Sequence, residues 1–500
     1  MIEAYDVILR GGRVMDPETG FDRECDVAIA NGMIAKIGIV EGGAGQEIDA
    51  RGLIVAPGFI DLHAHGQSVA ADRMQAFDGV TTTLELEVGA LPVAGWYDRQ
   101  AGIPRALNYG TAAAWIFARK AVMGGLDLDP DIHPIDQMGA GADDMRWSTE
   151  AADAVETRAI VAYVRQGLDE GAIGIGLPNG YAPGAGVKEM SDICDLAFEY
   201  GTPTYTHIAY LSNIDPQSSV DSYVRLIGLA GATGAHMHIC HLNSTSLMDI
   251  ERVTELVAKA QEQGLPVTTE AYPYGTGATV VSAGFFMDPD FTKRTGSAYS
   301  NVELIHNHHR FIDREDVVRA RDASPTDLVM WHFLDVEVND EHRRLLDLSV
   351  TFPGGSIASD AMPWINEDGS IYEGLDWPLP DGLSAHPRSS GTFTRFLRDY
   401  VRDRAVMSLM EGLAKCTILP ARVIEGCVPQ IRKKARVQEG CDADLVVFDL
   451  KTLTDRAEFT AMNRASEGVR YLFVNGVAVI VEGGLDTAAS PGRPIRCQRA

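Results

Sequence analysis

Hydrophobic and polar residues alternate near both ends of the chain, a pattern typical of half-buried β-strands. Strands are predicted at 5–9, 26–30 and 33–37, and again at 444–448, 471–474 and 477–480. Asn31-Gly32 and Asn475-Gly476 each separate two such runs, and Asn-Gly in this position predicts a two-residue hairpin turn. Each end alone would have little core, so we predict one small β-sandwich built from both ends, with two separate mini-domains as the alternative.

The middle of the chain alternates short apolar runs with helical stretches. The predicted strands are 58–64, 80–87, 105–111, 171–177, 203–208, 235–241, 265–271 and 356–361. Strand–helix alternation predicts a parallel sheet, and eight such units predict a (β/α)8 barrel, also called a TIM barrel. A doubly wound open sheet is the main alternative, but no glycine-rich dinucleotide-binding motif follows an early strand. We therefore predict an α/β protein with a barrel at 57–405 and a composite β-sandwich of 1–56 and 406–500.

A long stretch, from about 280 to 350, separates the seventh predicted strand from the eighth. A connection of this length is usually a lid or a subdomain. Its three clustered histidines, His306, His308 and His309, lie in a polar, charged run, and we interpret them as surface residues rather than metal ligands.

The composition narrows the range of partners. The chain has 500 residues and a net charge of −27, which disfavours nucleic acid and anionic membranes as partners but leaves room for a small anionic substrate. Seven cysteines, without a CxxC pair, favour reduced thiols, and no signal peptide or membrane-spanning run is present in the sequence. We expect a cytoplasmic protein; a homo-oligomer is one option for its assembly.

Several predicted strands end in groups that can bind a metal. These residues are His63 and His65 on the first strand, Glu85 and Glu87 on the second, His207 on the fifth, His241 on the sixth and Asp360 on the eighth. The C-terminal ends of barrel strands meet at one face, where the catalytic groups of such barrels lie. Each histidine alone would more often be a core residue, but together these groups predict a hydrolytic site for a divalent metal such as zinc. A metal with an open coordination position acidifies a bound water, and Asp360 is placed to take the proton.

Several longer motifs are similar to those of a known family. They include Pro57-Gly58-Phe59-Ile60-Asp61-Leu62-His63-Ala64-His65, Tyr181-Ala182-Pro183-Gly184, Thr268-Thr269-Glu270-Ala271-Tyr272-Pro273-Tyr274, Ala358-Ser359-Asp360 and His386-Pro387-Arg388-Ser389-Ser390-Gly391-Thr392-Phe393. The chain resembles the amidohydrolase superfamily nearly from end to end. Within it, the chain resembles the N-acyl-D-amino-acid deacylases, particularly sequences labelled D-glutamate deacylase.

The resemblance implies a set of roles for individual residues. It implies that His63, His65, His207 and His241 bind the metal, that Asp360 is a ligand and the general acid/base, and that Tyr272 and Arg388 hold the α-carboxylate of the substrate. The implied cofactor is one or two divalent ions, with zinc as the first choice. The implied reaction is hydrolysis of the linear amide of an N-acyl-D-amino acid, with N-acyl-D-glutamate as one candidate. The same metal site acting on a lactone, cyclic imide, carbamate or dipeptide is the alternative; a non-catalytic scaffold is disfavoured because the His-x-His pair and Asp360 are present.

The first departure from the family pattern concerns the second strand. D-Aminoacylases carry a cysteine ligand at its end, where this chain has Val88. A carboxylate would replace the thiolate, and we choose Glu87 over Glu85 because it lies nearer the strand end. A bridging carboxylate favours a two-metal site over a single zinc.

Two further departures concern the substrate. Asn243 stands where acyl-D-glutamate enzymes have a lysine, which weakens the case for a D-glutamyl side chain. Ala278 stands where a serine is expected, with Thr279 alongside.

The sixth strand holds further candidate groups. By strand alternation, Cys240, His236 and His238 are predicted to face away from His241. We interpret Cys240 as a small buried residue and the two histidines as core residues or, at most, outer supports of the site.

Overall fold

The structure, a computed structural model, describes residues 5–140 and 144–498. The strands are β1 (Tyr5–Asp16), β2 (Phe21–Ala30), β3 (Met33–Gly38), β4 (Ala44–Asp49), β5 (Ile54–Pro57), β6 (Phe59–Asp61), β7 (Val80–Ala90), β8 (Asn108–Ala114), β9 (Ile175–Pro178), β10 (Thr204–His207), β11 (Met237–Ile239), β12 (Val267–Ala271), β13 (Thr276–Val280), β14 (Val302–Leu304), β15 (Leu328–His332), β16 (Ser356–Ile357), β17 (Leu445–Phe448), β18 (Val469–Val474), β19 (Val477–Val481) and β20 (Gly484–Leu485). The α-helices are α1 (Val69–Phe77), α2 (Val93–Ala101), α3 (Trp115–Gly124), α4 (Pro134–Gly139), α5 (Arg146–Thr149), α6 (Ala154–Asp169), α7 (Val187–Tyr200), α8 (Ser219–Thr233), α9 (Leu242–Ser246), α10 (Ile250–Glu262), α11 (Phe291–Thr295), α12 (Arg314–Ala323), α13 (Asp340–Val350), α14 (Phe393–Phe396), α15 (Leu409–Cys416) and α16 (Ile418–Ile424).

The central sheet is parallel and almost closes on itself. Strands β6 to β12 follow one another in sequence order, and β16 adds to β12. The first and last strands meet through hydrogen bonds: the Ser359 amide donates to Asp61 at 3.0 Å and the His65 amide donates to the Ala361 carbonyl at 2.8 Å. The predicted (β/α)8 barrel is confirmed, and each predicted strand corresponds to one barrel strand.

Two barrel strands begin three or more residues later than predicted. Strand β8 begins at residue 108 rather than 105 because the amides of Ala106 and Leu107 donate to the Asp72 carboxylate instead of the sheet. Strand β9 begins at residue 175 rather than 171 because Gly171 and Gly174 have positive φ, at 99° and 129°, outside the β region.

The barrel interior is apolar beneath the strand ends. Ile60, Leu84 and Tyr205 belong to this interior cluster, and Ile495, from the C-terminal segment, packs against them. Outside, neighbouring helices pack in chain order: α6 on α7, α7 on α8, and α8 on α10. None of the helices in the described part of the chain is long and apolar enough to cross a lipid bilayer.

A second sheet joins the two ends of the chain. Its order is β20-β19-β18-β17-β5-β1-β2-β3, with β4 beside β1, and β17 pairs antiparallel with β5. Both Asn-Gly turns form as predicted, since Asn31 and Asn475 have the positive φ that such turns need. Met33 bridges Asp442, so the sheet folds back on itself into the predicted small sandwich. The domain boundaries given above stay a prediction.

The stretch between β12 and β16 has its own sheet. Strands β13, β15 and β14 form an antiparallel sheet, accompanied by α11 to α13. His308 and His309 each face a carboxylate, Glu303 at 3.4 Å and Asp316 at 2.9 Å. Among the described residues, the clusters with metal-ligand spacing do not include these histidines.

Candidate metal centre

His63 and His65 lie just beyond β6 and point at the same place. Their Nε2 atoms are 3.1 Å apart, and both imidazoles are buried. The Nε2 atoms lie 3.3 and 3.6 Å from Oε2 of Glu87, which is carried by β7, the neighbouring strand. The first predicted pair of ligands therefore converges on one carboxylate oxygen.

His207 and His241 form a second pair on the other side of Glu87. His207 ends β10, and His241 follows β11 by two residues. Nδ1 of His207 and Nε2 of His241 are each 2.9 Å from Oε1 of Glu87. The two oxygens of one buried carboxylate thus face two different pairs of imidazoles.

This arrangement fits a divalent metal. His63, His65 and Glu87 can bring one ligand atom each within 4.8 Å of one another, and so can Glu87, His207 and His241. Nitrogen and carboxylate donors suit zinc and similar ions, and Glu87 is positioned to be shared between two of them. The predicted ligands are brought together, and their roles as ligands stay a prediction.

Two further carboxylates contact the first imidazole pair at the ring nitrogens that face away from Glu87. Nδ1 of His63 lies 2.6 Å from Glu270, at the end of β12, and Nδ1 of His65 lies 2.9 Å from Glu85. Such contacts leave each Nε2 free to face a metal and fix the orientation of the ring. Glu85 therefore lies behind His65, whereas Glu87 lies between the two pairs. Sequence reasoning missed Glu270, although its position at a strand end was the signal used for the other residues.

The electrostatics of the cluster favour a cation. Burial lowers the pKa of His63, but the carboxylates of Asp360 and Glu87 raise that pKa well above its ordinary value. Burial also lowers the pKa of His65, and Glu85 raises it, to about 9. The pKa of Glu87 is well below its ordinary value because His63 and His241 outweigh the effect of burial. Since a ligating imidazole must be neutral, a divalent ion would displace protons here.

Asp360 completes the first side of the cluster. Its Oδ1 lies 3.5 Å from Nε2 of His63, 3.4 Å from Nε2 of His65 and 2.9 Å from the Arg388 guanidinium. Its backbone has φ of 52°, a conformation that is strained for a non-glycine residue and that is often found at functional sites. The preceding residue, Ser359, donates both its amide and its hydroxyl to Asp61, which holds the loop in place.

Arg388 and Tyr272 lie side by side next to Asp360. The guanidinium carbon is 4.7 Å from the centroid of the Tyr272 ring, and both side chains are buried. Nε and Nη1 of Arg388 and the Tyr272 hydroxyl have no hydrogen-bond partner among the described residues. A Cβ on Gly277 would lie 3.2 Å from that hydroxyl and 3.9 Å from Nη1, so the glycine keeps the space beside them open. Buried, unpartnered donors of this kind suit a carboxylate ligand.

The prediction that Cys240 faces away from the site was wrong. Strand β11 ends at Ile239, and His241 has φ of 28°, so strand alternation does not extend to these two residues. Cys240 is buried and lies near His63 and Glu270. The expectation of a small buried side chain at Cys240 is confirmed.

His238 and Asn243 have supporting contacts. Nε2 of His238 lies 3.1 Å from Glu270, the carboxylate that contacts His63. Nδ2 of Asn243 donates to the carbonyls of Tyr272 and Tyr274, at 3.0 and 3.2 Å. Asn243 therefore holds the backbone that carries Tyr272.

Comparison with known proteins assigns the chain to a family. A model described as the amidohydrolase family matches residues 46–480. N-acyl-D-glutamate deacylase of Alcaligenes xylosoxydans xylosoxydans is 28% identical, covering 99% of this chain and 97% of the relative; D-aminoacylase of the same organism is 24% identical, covering 95% of each. The crystal structure of N-acyl-D-glutamate deacylase from Bordetella bronchiseptica, with zinc and a phosphonate inhibitor, superposes with a TM-score of 0.75 at 23% identity, covering 99% of this chain and 100% of that one. As its motifs suggested, the chain belongs to the amidohydrolase family.

Proposed function

We propose that the protein is a metal-dependent deacylase that hydrolyses the amide bond of N-acyl-D-amino acids. The observation that carries the proposal is the carboxylate of Glu87 between two imidazole pairs, with the unpartnered donors of Arg388 close by. The two deacylases that are similar to the chain over nearly its full length support the choice of substrate class.

The metal would be held by residues from both sides of Glu87. His63, His65 and Asp360 would serve one ion and His207 and His241 the other, with Glu87 shared. When bound, divalent ions act as Lewis acids, which polarise the scissile carbonyl and lower the pKa of the attacking water. We propose zinc because the donors are imidazoles and carboxylates and because a structural relative was solved with zinc.

Arg388 and Tyr272 would fix the substrate by its α-carboxylate. Nη1 of Arg388 can donate to one carboxylate oxygen, and the Tyr272 hydroxyl adds a second hydrogen bond. The Gly277 backbone leaves room for the carboxylate. Holding the substrate at this end directs its amide toward Asp360, which contacts Arg388.

Asp360 would carry the proton during hydrolysis. Burial raises the pKa of this carboxyl, but Arg388 and His63 lower it more, so the pKa lies below its ordinary value. Asp360 is therefore ionised and ready to accept the proton of the attacking water. It then returns that proton to the leaving nitrogen, which departs as the amine of the free amino acid.

A hydrolysis screen of the metal-loaded protein tests the proposal. N-acetyl and N-formyl amino acids in D and L forms would be compared with a cyclic imide and a lactone, which have no free carboxylate for Arg388. We expect turnover of the D-amides and its loss after chelation. Turnover of only the cyclic substrates, or of only the L-amides, would contradict the proposal.

A further inference from the structure

Much of the lining of the cavity over the candidate metal centre is apolar. It includes Ile135, Met138, Leu211, Val280, Phe285 and Trp331, which we call the apolar wall. We infer that the apolar wall receives the side chain of the D-amino acid and selects neutral, apolar side chains over acidic ones. This inference rests on the proposed function and adds the substrate's side-chain class to it.

The apolar wall lies next to the proposed carboxylate position. Trp331 on β15 is the direct partner of Gly277 on β13, and the side chains of directly paired residues project from the same face of a sheet. Gly277 is the residue whose missing Cβ leaves space beside Tyr272 and Arg388. The carboxylate and the side chain of an amino acid leave the same carbon. A substrate held by Arg388 therefore has its side chain close to Trp331.

Internal contacts hold the aromatic part of the wall in place. The Trp331 indole donates to the Ser297 hydroxyl at 3.1 Å, and Phe285 stacks on Trp331 with ring centroids 6.0 Å apart. Phe291 packs on the same indole, with ring centroids 5.7 Å apart. This part of the cavity is thus a preformed apolar surface.

The part of the apolar wall that lies on α4 is held by a buried lysine. Ile135 and Met138 lie on α4, and the Lys120 ammonium donates to the carbonyls of Gln137, Met138 and Ala140. These carbonyls lie at the C-terminal end of α4, where a cation is favourable. The Lys120 amine is thus used in holding α4.

Beyond Arg388, the described lining of the cavity offers no cationic partner for a second carboxylate. Among the described residues that line it there is no lysine or arginine, and Arg388, next to Tyr272, is already assigned to the α-carboxylate. Asn243, at the position of the lysine of acyl-D-glutamate enzymes, uses its amide nitrogen on the carbonyls of Tyr272 and Tyr274. The side-chain carboxylate of a D-glutamyl substrate would be buried against apolar atoms without a counter-charge, which is strongly unfavourable.

Steady-state kinetics of the metal-loaded protein test the inference. N-acetyl-D-methionine, N-acetyl-D-glutamine and N-acetyl-D-glutamate have side chains of similar length, and the last two differ mainly in charge. We expect kcat/KM to fall in that order, with methionine favoured over glutamate by at least about a hundredfold. A kcat/KM for the glutamate substrate equal to or above that for methionine would overturn the inference and leave the proposed function intact. Absence of turnover with every D-substrate would overturn the proposed function and the inference with it.

A variant of the apolar wall gives a second test. Phe285→Lys introduces a cation into a partly exposed position of the wall, and Phe285→Leu is the apolar control. We expect Phe285→Lys to shift the ratio of kcat/KM toward the glutamate substrate by about tenfold or more, and Phe285→Leu to leave the preference for methionine. An equal shift in both variants would contradict a charge-based preference.

Inhibition of the wild-type protein by free D-methionine and by free D-glutamate is a third test, and it needs no variant. Tighter inhibition by D-glutamate would overturn the inference.

Discussion

Replacing Glu87 with glutamine tests whether one carboxylate is shared by two metal positions. The change keeps the size of the side chain and removes its charge. In the structure one oxygen lies 2.9 Å from both His207 and His241, and the other lies 3.3 and 3.6 Å from His63 and His65. The substitution should therefore weaken metal binding on both sides at once.

The size of the loss in metal affinity can be estimated from the burial of the Glu87 carboxylate. Removing one partner from a buried charge pair costs about 3–5 kcal/mol. At about 1.4 kcal/mol for each factor of ten, metal affinity should fall by roughly 10²- to 10⁴-fold. We expect Glu87→Gln to retain at most one ion per chain and to lose nearly all deacylase activity.

Elemental analysis and competition with a chromophoric chelator would measure the loss. Glu85→Gln is the matched control, since Glu85 is on the same strand and contacts His65 through the nitrogen that faces away from Glu87. Loss of such a supporting contact costs about 10- to 100-fold in metal affinity. If Glu87→Gln bound two ions as tightly as the wild type, or if Glu85→Gln lost more metal than Glu87→Gln, the reasoning would be refuted.

Three further substitutions test other parts of the account. Asp360→Asn should lower kcat by about 10²- to 10⁴-fold even when the protein is saturated with metal, because the proton carrier is lost; near-wild-type kcat would remove Asp360 from that role. Arg388→Ala should raise KM for N-acetyl-D-methionine by about tenfold or more, because a charge-assisted hydrogen bond contributes about 1.5–3 kcal/mol; an unchanged KM would remove Arg388 from the substrate site. Lys120→Met leaves three carbonyls at the end of α4 without a donor and should lower the free energy of unfolding by about 2–4 kcal/mol; an unchanged urea midpoint would contradict the anchoring role.

The barrel could be predicted because its strands are buried on both faces. Such strands are short apolar runs, as in the segment that contains Phe59 and Ile60, and their order along the chain is their order in the sheet. The two largest errors in the first residue of a barrel strand came from local effects. Asp72 takes two amides before β8, and positive φ values at Gly171 and Gly174 delay β9.

Contacts between distant parts of the chain limited prediction of the site. His63 and Glu270 are far apart in sequence, and only the closed barrel brings them together. Strand alternation failed at Cys240 because β11 ends at Ile239, the residue before it.

The apolar wall could not be predicted from the sequence for a different reason. It depends on the pairing of β13 with β15, which places Trp331 opposite Gly277 across a long insertion. The apolar residues of that insertion do not, by themselves, specify which strands pair or which side chains face the metal centre.

Titration of the metal-free protein with zinc, read by hydrolysis of N-acetyl-D-methionine and its L-enantiomer, tests the central claim most directly. We expect activity toward the D-substrate to appear as zinc binds, and the L-substrate not to be hydrolysed at a comparable rate. Because two imidazole pairs surround Glu87, we expect one to two zinc ions per chain. Failure to bind zinc tightly, or hydrolysis that does not depend on bound metal, would contradict the central claim.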